Sequence, residues 1–357
     1  MNGKPVVLGS AGSRSVRARA PLRLGFAGGG TDLSPFCDQH GGLVLNAAVA
    51  LYAYVHLRPS HENKLRFFAS ELEQTWESEA VAEVPMGSDA LLHRGVYNRI
   101  VAEFNRGVPI PVSICTTVDV PPGSGMGGSS TLVVALIEAF RQYLQLPLGE
   151  YDIARMAVEI ERYELGLAGG RQDQYAAAFG GFNFMEFGSE DRVIVNPLRM
   201  NSTTIRELEA SLLLYFTGQS RESANIIVQQ QQEMAAPRSS RAFESLKALK
   251  DEAIKMKEAM LMGDLQRVAD SLNQSWQMKK ATASGVSTQN IDRLLKIAFE
   301  NGAKAGKVSG AGGGGFIIFI AEPEERNRLA QRLALEQGKV LTCTFSPSGA
   351  ESWEARV

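Results

Sequence analysis

Histidine and cysteine are scarce in this chain, with four of the first and three of the second among 357 residues. His40, His56, His61 and His93 form no HxxxH or HExxH pair, and Cys37, Cys115 and Cys343 lie far apart without metal-ligand spacing. Both absences speak against a zinc enzyme. An odd, scattered set of thiols also predicts free, buried cysteines in a reducing compartment. No apolar run approaches the ~20 residues that a membrane-spanning helix needs. Charge of neither sign is in excess: the formal net charge is -2 and the pI about 6.2. That removes the basic field expected of a protein bound to nucleic acid or to an anionic membrane. A cytoplasmic protein acting on small molecules is the expectation that survives, with no nucleic-acid or membrane partner and a homodimer as the one protein assembly to consider.

Apolar residues and glycine are what the chain has in quantity. At 44% hydrophobic content, 357 residues can bury two cores, and the expected division falls at residues 1–200 and 201–357. The start carries Arg14, Arg17 and Arg19 and no acidic residue; it reads as a tail leading into the first strand, with a transit peptide as the alternative. Alternating or continuous apolar runs with β-branched and aromatic residues predict strands over 16–26, 44–57, 63–70 and 108–120. Helical spacing predicts a helix over 89–104, capped by Ser88, then one after a glycine loop to about 143 and another over 148–165. "RQDQYAAAF" reads as a short helix and "GFNFMEF" as a strand, while 192–204 is polar and irregular. Beyond it lie a strand at 211–218, a long helical region over 223–278 and a helix at 288–301. Strands at 303–310, 316–322 and 339–346 follow, with a helix over 323–337 between the last two. Helix pairs mixed with short strands suit an α+β sandwich better than a doubly wound sheet.

Glycine clusters at three stations. "DVPPGSGMGGSSTLVV" satisfies GxGxxG between a strand and a helix, but two prolines stand at the turn, and no second strand ending in an acidic residue follows. Ser129, Ser130 and Thr131 open the helix instead. Glycine lets backbone N–H groups turn toward an anion, the helix start adds partial positive charge, and hydroxyls there can meet a phosphate or its metal ion. The lysine of a Walker A loop is absent, so this is a phosphate cradle of backbone and serine, with a flexible turn and serine cap as the plain alternative. "KVSGAGGGGFIIF" holds a second formal GxGxxG, yet a strand follows it, which points to close backbone approach or a hairpin. "APLRLGFAGGGTDLSPF" ends a strand in three glycines and then presents Thr31 and Asp32, suited to a polyol or to capping the next helix. Three stations so far apart predict a cleft between domains.

In this order, "PLRLGFAGGGTD", "PPGSGMGGSS", "GRQDQ" and "KVSGAGGGG" resemble the GHMP kinase superfamily of galactokinases, homoserine kinases, mevalonate kinases and phosphomevalonate kinases. The resemblance runs from about residue 20 to the C-terminus. It implies an α+β fold of two domains, the first like ribosomal protein S5 domain 2 and the second ferredoxin-like, with ATP between them. Pro122, Gly123, Ser124, Gly125, Met126, Gly127, Gly128, Ser129 and Ser130 match the family's ATP phosphate loop. Ser129 aligns with its Mg²⁺-binding serine, although Ser130 beside it could equally face the ion, and Glu161 stands where the second metal carboxylate lies. Asp173 matches the catalytic aspartate, at a helix start that favours negative charge, and would accept or orient the proton of the acceptor hydroxyl. Its alternative is a helix-capping role. Arg23 matches the first-motif arginine that would stabilise the developing alkoxide. Gly29, Gly30, Thr31 and Asp32, with Gly312 and Gly313, are the implied acceptor-binding residues.

One departure narrows the acceptor. Galactokinases carry G-E-H-x-D where this chain carries Gly28-Gly29-Gly30-Thr31-Asp32, so the glutamate and histidine contacts to galactose are missing while Asp32 stays. "GGGTD" with "DLSPF" instead resembles the branch that phosphorylates a manno-heptose 7-phosphate on its anomeric oxygen, with L-fucokinases next to it. A sugar phosphate needs cations, for which Arg221, Lys279 and Lys280 are candidates. Two other classes stay open: a non-catalytic sugar and ATP sensor, and an NAD-dependent oxidoreductase resting on GxGxxG alone.

Overall fold

The computed structural model of the chain describes residues 14–218, 223–234 and 241–355. Its first strand, β1 (Val16–Ala27), shows how the halves meet. Up to Arg19 buried and more exposed residues alternate, as on a sheet with one covered face; from Ala20 onward every residue is buried. The change coincides with a shift of register between Pro21 and Leu22. Beyond that point a second layer covers the sheet's other face.

Around β1 the first sheet collects β2 (Gly42–Pro59), β3 (Lys64–Ala69), β4 (Gln74–Glu79), β5 (Val112–Val118), β6 (Phe182–Phe187) and β7 (Val193–Pro197). In the second sheet are β8 (Leu212–Phe216), β9 (Ala303–Val308), β10 (Phe316–Ala321) and β11 (Lys339–Leu341), and β12 (Glu351–Glu354) returns to the first. The path of the first sheet is β12-β1-β2-β5-β3-β4, with β6 also on β2 and β7 on β6. Its pairs are antiparallel except β3 with β5. Six helices belong to this half or border it: α1 (Phe36–His40), α2 (Leu91–Phe104), α3 (Gly128–Leu144), α4 (Glu150–Val158), α5 (Gln172–Phe179) and α6 (Ser202–Ser211). A π-helical turn, Glu159–Glu164, continues α4. The rest are α7 (Ser223–Met234), α8 (Arg241–Met262), α9 (Leu265–Lys280), α10 (Gln289–Glu300) and α11 (Pro323–Leu333).

The second sheet runs β11-β8-β10-β9, wholly antiparallel. Counted within that half this is order 4-1-3-2 with helices after its first and third strands, the split βαβ pattern of a ferredoxin-like domain. One core lies between the first sheet and α2 to α5, around Phe67, Tyr97 and Phe140. A second joins the two halves, with Leu22, Leu24 and Phe26 of β1 against Leu214 of β8, Ile318 of β10 and Met256 of α8. A third, around Trp276 and Phe319, closes the outer face of the second sheet. β1 therefore lies between the halves, with Arg23 in the lining of the cleft.

The structure departs from the sequence reading in several places. Ser88 does not cap α2, which starts behind Ala90 at φ +53° with no side-chain cap. Residues 192–204 hold β7 and the start of α6, whose cap is Asn201 Oδ1 accepting from Thr203 N at 2.8 Å. The described residues of the long helical region form three helices; Gly263 at φ +72° ends one, and Asp264 caps the next through Arg267 N at 3.0 Å. The expected second domain reached residue 357, yet β12 pairs with β1 in the first sheet and Val49 bridges Phe345. Cys37 is buried as expected, but Cys115 and Cys343 are only partly so. No helix among the described residues is long and apolar enough to cross a membrane.

Candidate active site

The first turn of α5 is the hub of the site. Its four residues, Arg171 to Gln174, each hold a different neighbour. Arg171 at the N-cap position donates to Ser34 Oγ (2.9 Å) and Asp38 Oδ1 (2.8 Å) and pairs with Asp191 Oδ1 (3.0 Å). Gln172 Nε2 donates to Asp32 Oδ1 at 3.1 Å. Asp173 accepts two bonds from Arg23, Nε to Oδ1 at 2.7 Å and Nη2 to Oδ2 at 2.9 Å. Gln174 Nε2 donates to Ser130 Oγ (3.1 Å) and to Glu161 Oε2. A bidentate arginine fork fixes the plane of a carboxylate as well as its charge, so Asp173 is held in one orientation.

Asp32 completes the anchoring. Its Oδ1 also accepts from Gly30 N (3.1 Å), and its Oδ2 accepts from Arg171 N (3.0 Å) and Gln172 N (3.2 Å). Four donors fill the lone pairs of a carboxylate. The residue at 170 must be glycine for this, because a Cβ there would lie 1.9 Å from Asp32 Oδ2. Asp32 thus caps α5 from a distant part of the chain and not the helix that follows it, the capping role the sequence allows it. Thr31, fully buried, donates to Gly28 O and Leu43 O and accepts from Leu43 N. It braces its own loop and does not face an acceptor.

Opposite stands the loop ahead of α3. Gly125, at φ +78°, is in backbone contact with the third glycine station: a Cβ on it would meet Ser309 O at 2.6 Å, and one on Gly315 would meet Ser124 O at 2.3 Å. Two glycine loops from the two halves are packed backbone against backbone, which explains a glycine density no hairpin requires. Arg23 reaches this junction too, donating from Nη1 to Gly125 O at 2.6 Å and to Ser309 Oγ at 3.4 Å. In the same third station Gly313 N donates to Val286 O at 2.8 Å, and a Cβ on Gly312 would meet Val286 O at 2.6 Å. The expected acceptor contacts Gly312 and Gly313 therefore face the chain itself. Gly310 and Ala311 line the cavity in their place, together with Arg23, Gly30, Asp32, Asp173 and Lys279.

Of the two adjacent serines, Ser130 is the buried one, and its Oγ donates to Glu161 Oε1 at 3.1 Å; Ser129 is exposed. α3 turns Ser129 outward and Ser130 toward the π-helical turn. Met126 is a core residue, Ser124 is buried, and Pro122, Gly123, Gly127 and Gly128 are at least partly open. Glu161 is buried with its carboxyl raised above the usual value, chiefly by desolvation, against the pull of Arg162. Beside this pair Gln174 Oε1 is buried without a partner. A hydroxyl, a carboxylate and an orphaned acceptor suit a hydrated magnesium ion, which keeps several waters and takes few protein oxygens. The residues present therefore fit such an ion. No cluster of three or more histidine, cysteine or acidic residues able to hold a metal occurs among the described residues.

Two domain models match, the GHMP kinase N-terminal domain over residues 92–181 and the GHMP kinase C-terminal domain over residues 232–339. The D-glycero-alpha-D-manno-heptose 7-phosphate kinase of Campylobacter jejuni is 45% identical over 95% of this chain and 99% of that protein. The chain belongs to the GHMP kinase family. A crystal structure described as a D-glycero-D-manno-heptose 1-phosphate kinase from Bacteroides thetaiotaomicron superposes at TM-score 0.82, with 40% identity, 96% of this chain and all of that one covered. The bifunctional fucokinase/GDP-fucose pyrophosphorylase of Arabidopsis thaliana is 28% identical over 90% of this chain, which spans 31% of that longer protein. Family membership makes the chain a sugar-kinase-type phosphotransferase and sets aside the oxidoreductase alternative.

Sequence reasoning had picked Asp173 out of "GRQDQ" and missed Gln172 and Gln174, although glutamines flanking an acid at a helix start are the residues placed to reach both sides of it. Lys279 does reach the cavity. Lys280 instead lines a separate surface pocket near Trp276, and Arg221 lies outside the described residues.

Proposed function

We propose that this GHMP kinase transfers the γ-phosphoryl group of ATP, with Mg²⁺, to the anomeric hydroxyl of D-glycero-D-manno-heptose 7-phosphate, giving the 1,7-bisphosphate for nucleotide-activated heptose. The observation that carries the reading is the bidentate Arg23 to Asp173 pair in a cleft between two interlocked glycine loops. The 45% identity to a kinase named for that substrate supports the choice of sugar.

The acceptor's hydroxyl would lie against Asp173, which takes or orients its proton as the oxygen attacks phosphorus. The glycine loop ahead of α3 offers backbone N–H groups to the polyphosphate, and the helix start adds favourable charge. Ser130 and Glu161 would hold Mg²⁺, which supplies charge neutralisation on the phosphates. Positioning and charge stabilisation are most of what phosphoryl transfer needs.

The test is phosphorus NMR on reactions containing MgATP and, separately, the heptose 7-phosphate, the heptose 1-phosphate, the free heptose, mannose and L-fucose. A new anomeric phosphate formed fastest with the 7-phosphate, and slowly with the free heptose, is the expected result. Turnover of L-fucose alone keeps the kinase and overturns the sugar. ATP binding with no turnover of any sugar favours the sensor.

A further inference from the structure

Arg23 is short of free donors. A guanidinium has five N–H groups; two go to Asp173 and two to Gly125 O and Ser309 Oγ, which leaves one. It orients Asp173 well and has little left for the oxygen that attacks. Lys279, at the C-terminal end of α9, has the opposite balance. Its side chain is 3% exposed and lines the same cavity, yet among the described residues its ammonium has one hydrogen-bond partner, Gly29 O at 3.2 Å. Two of its three N–H groups are uncommitted in a buried place, which is costly unless a ligand takes them.

Four charged or titratable groups act on Lys279 or are acted on by it. Asp32 and Asp173 favour its charge, and Arg23 opposes it. Lys307, whose own value is pushed well down by burial, donates to Gly25 O at 2.6 Å. Asp32 is already saturated by four donors, so Asp173 is the anion whose remaining lone pairs face the cavity with Lys279. Neither carboxylate forms an ion pair with Lys279 within 4.0 Å, and Lys279 and Asp173 line the same cavity. The cavity they share is partly open and has a volume of about 60 Å³.

Resting on the proposed kinase reaction, we propose that Lys279 is a catalytic residue that donates a hydrogen bond to the attacking anomeric oxygen while that hydroxyl donates to Asp173. In the step, the O–H bond breaks with its proton passing to Asp173, the oxygen's electron pair forms the new O–P bond, and the bond from the γ-phosphorus to the bridging oxygen breaks, releasing ADP. Lys279 keeps its protons and stabilises the oxygen as it becomes negative. The role differs from binding the distant 7-phosphate, the use for which a lysine at this position first suggests itself.

The two roles separate experimentally in Lys279→Met and Lys279→Arg, assayed with the heptose 7-phosphate and with the unphosphorylated heptose. A lost alkoxide donor lowers kcat by roughly 10²–10³ with both acceptors and leaves the Kd for ATP unchanged. A defect confined to the phosphorylated sugar overturns the inference and leaves the kinase reading intact. The wild-type protein gives a second readout. Burial brings Lys279 down to about 8, so kcat/KM should fall as pH rises through that value, and Lys279→Arg should lack this limb. A wild-type profile flat from pH 7 to 9 overturns the inference even where the variants fail to fold. Wild-type protein inert toward both sugars overturns the proposed function, and the inference with it.

Discussion

The two sides of α5's first turn handle a carboxylate in opposite ways. On the acceptor side Asp173 is 20% exposed in its side chain and locked by an arginine fork. On the loop side Glu161 is 2% exposed in its side chain and held by a hydroxyl and an amide, with Arg162 Nη1 no nearer than 3.8 Å. The first is already charge-compensated within the protein, and its orientation is what the fold secures. The second is a buried carboxylate whose counter-ion, Arg162, stands off at 3.8 Å, and desolvation raises its proton affinity against that pull. A pre-paired acid suits a group that must point at one hydroxyl. An under-compensated acid suits a group whose partner arrives with the nucleotide.

The largest effect that can break this comparison is Asp173→Asn. It should lower kcat by about 10³-fold or more while calorimetry finds the Kd for ATP nearly unchanged. Turnover at the wild-type rate would show that Asp173 is no more than a helix-start residue. Next is Gly170→Ala, whose Cβ meets Asp32 Oδ2 at 1.9 Å. Loss of about 2–4 kcal/mol in urea unfolding is expected, as for overpacking with a broken hydrogen-bond network; an unchanged midpoint would mean that Asp32 does not anchor α5.

Glu161→Gln sharpens the other side. Activity should fall and require more Mg²⁺, whereas stability in EDTA should hold or rise. The sign follows from the raised value: the folded state keeps the proton longer than the unfolded chain, so Glu161's contribution is fully present below about pH 4.5 and is lost as pH rises through its folded value. The glutamine variant should lose that pH dependence. A metal-free variant much less stable than wild type at pH 8 contradicts it. The smallest effect concerns a control group away from the site. His93, buried and bonded to Thr116 Oγ1 at 3.1 Å, is lowered by burial from 6.5 to about 4. The unfolded chain therefore binds the extra proton between those values, and stability falls by up to about 3 kcal/mol as pH drops from 6.5 to 4. Urea midpoints of wild type and His93→Gln should converge over that window.

Much of the architecture was legible in the sequence because it rests on local signals. Alternation in β2, helical spacing in α3 and the apolar run of β10 appear where expected, and the ordered motifs identified the family. The site was legible in part. Glycine announces a backbone that turns or is approached closely, but whether the approaching atom belongs to a ligand or to the chain is a tertiary matter. Gly310 lines the cavity while Gly312 packs on Val286, two residues away. The choice between Ser129 and Ser130 depended on the phase of α3 against the π-helical turn, and no spacing rule supplies that. β12 was missed because "ESWE" carries no apolar alternation; it is a strand only because β1 offers it an edge.

That edge has a bearing on how the molecule is made. β1 comprises residues 16–27 and its partner β12 residues 351–354, so β1 leaves the ribosome long before the strand that covers its edge. Until then Val16 to Arg19 of β1 have an unpaired side, open to wrong partners. A stop codon a few residues before 354 would therefore be a lesion of biogenesis, seen in yield and aggregation, in a protein whose glycine loops, Asp173 and cavity are all encoded intact.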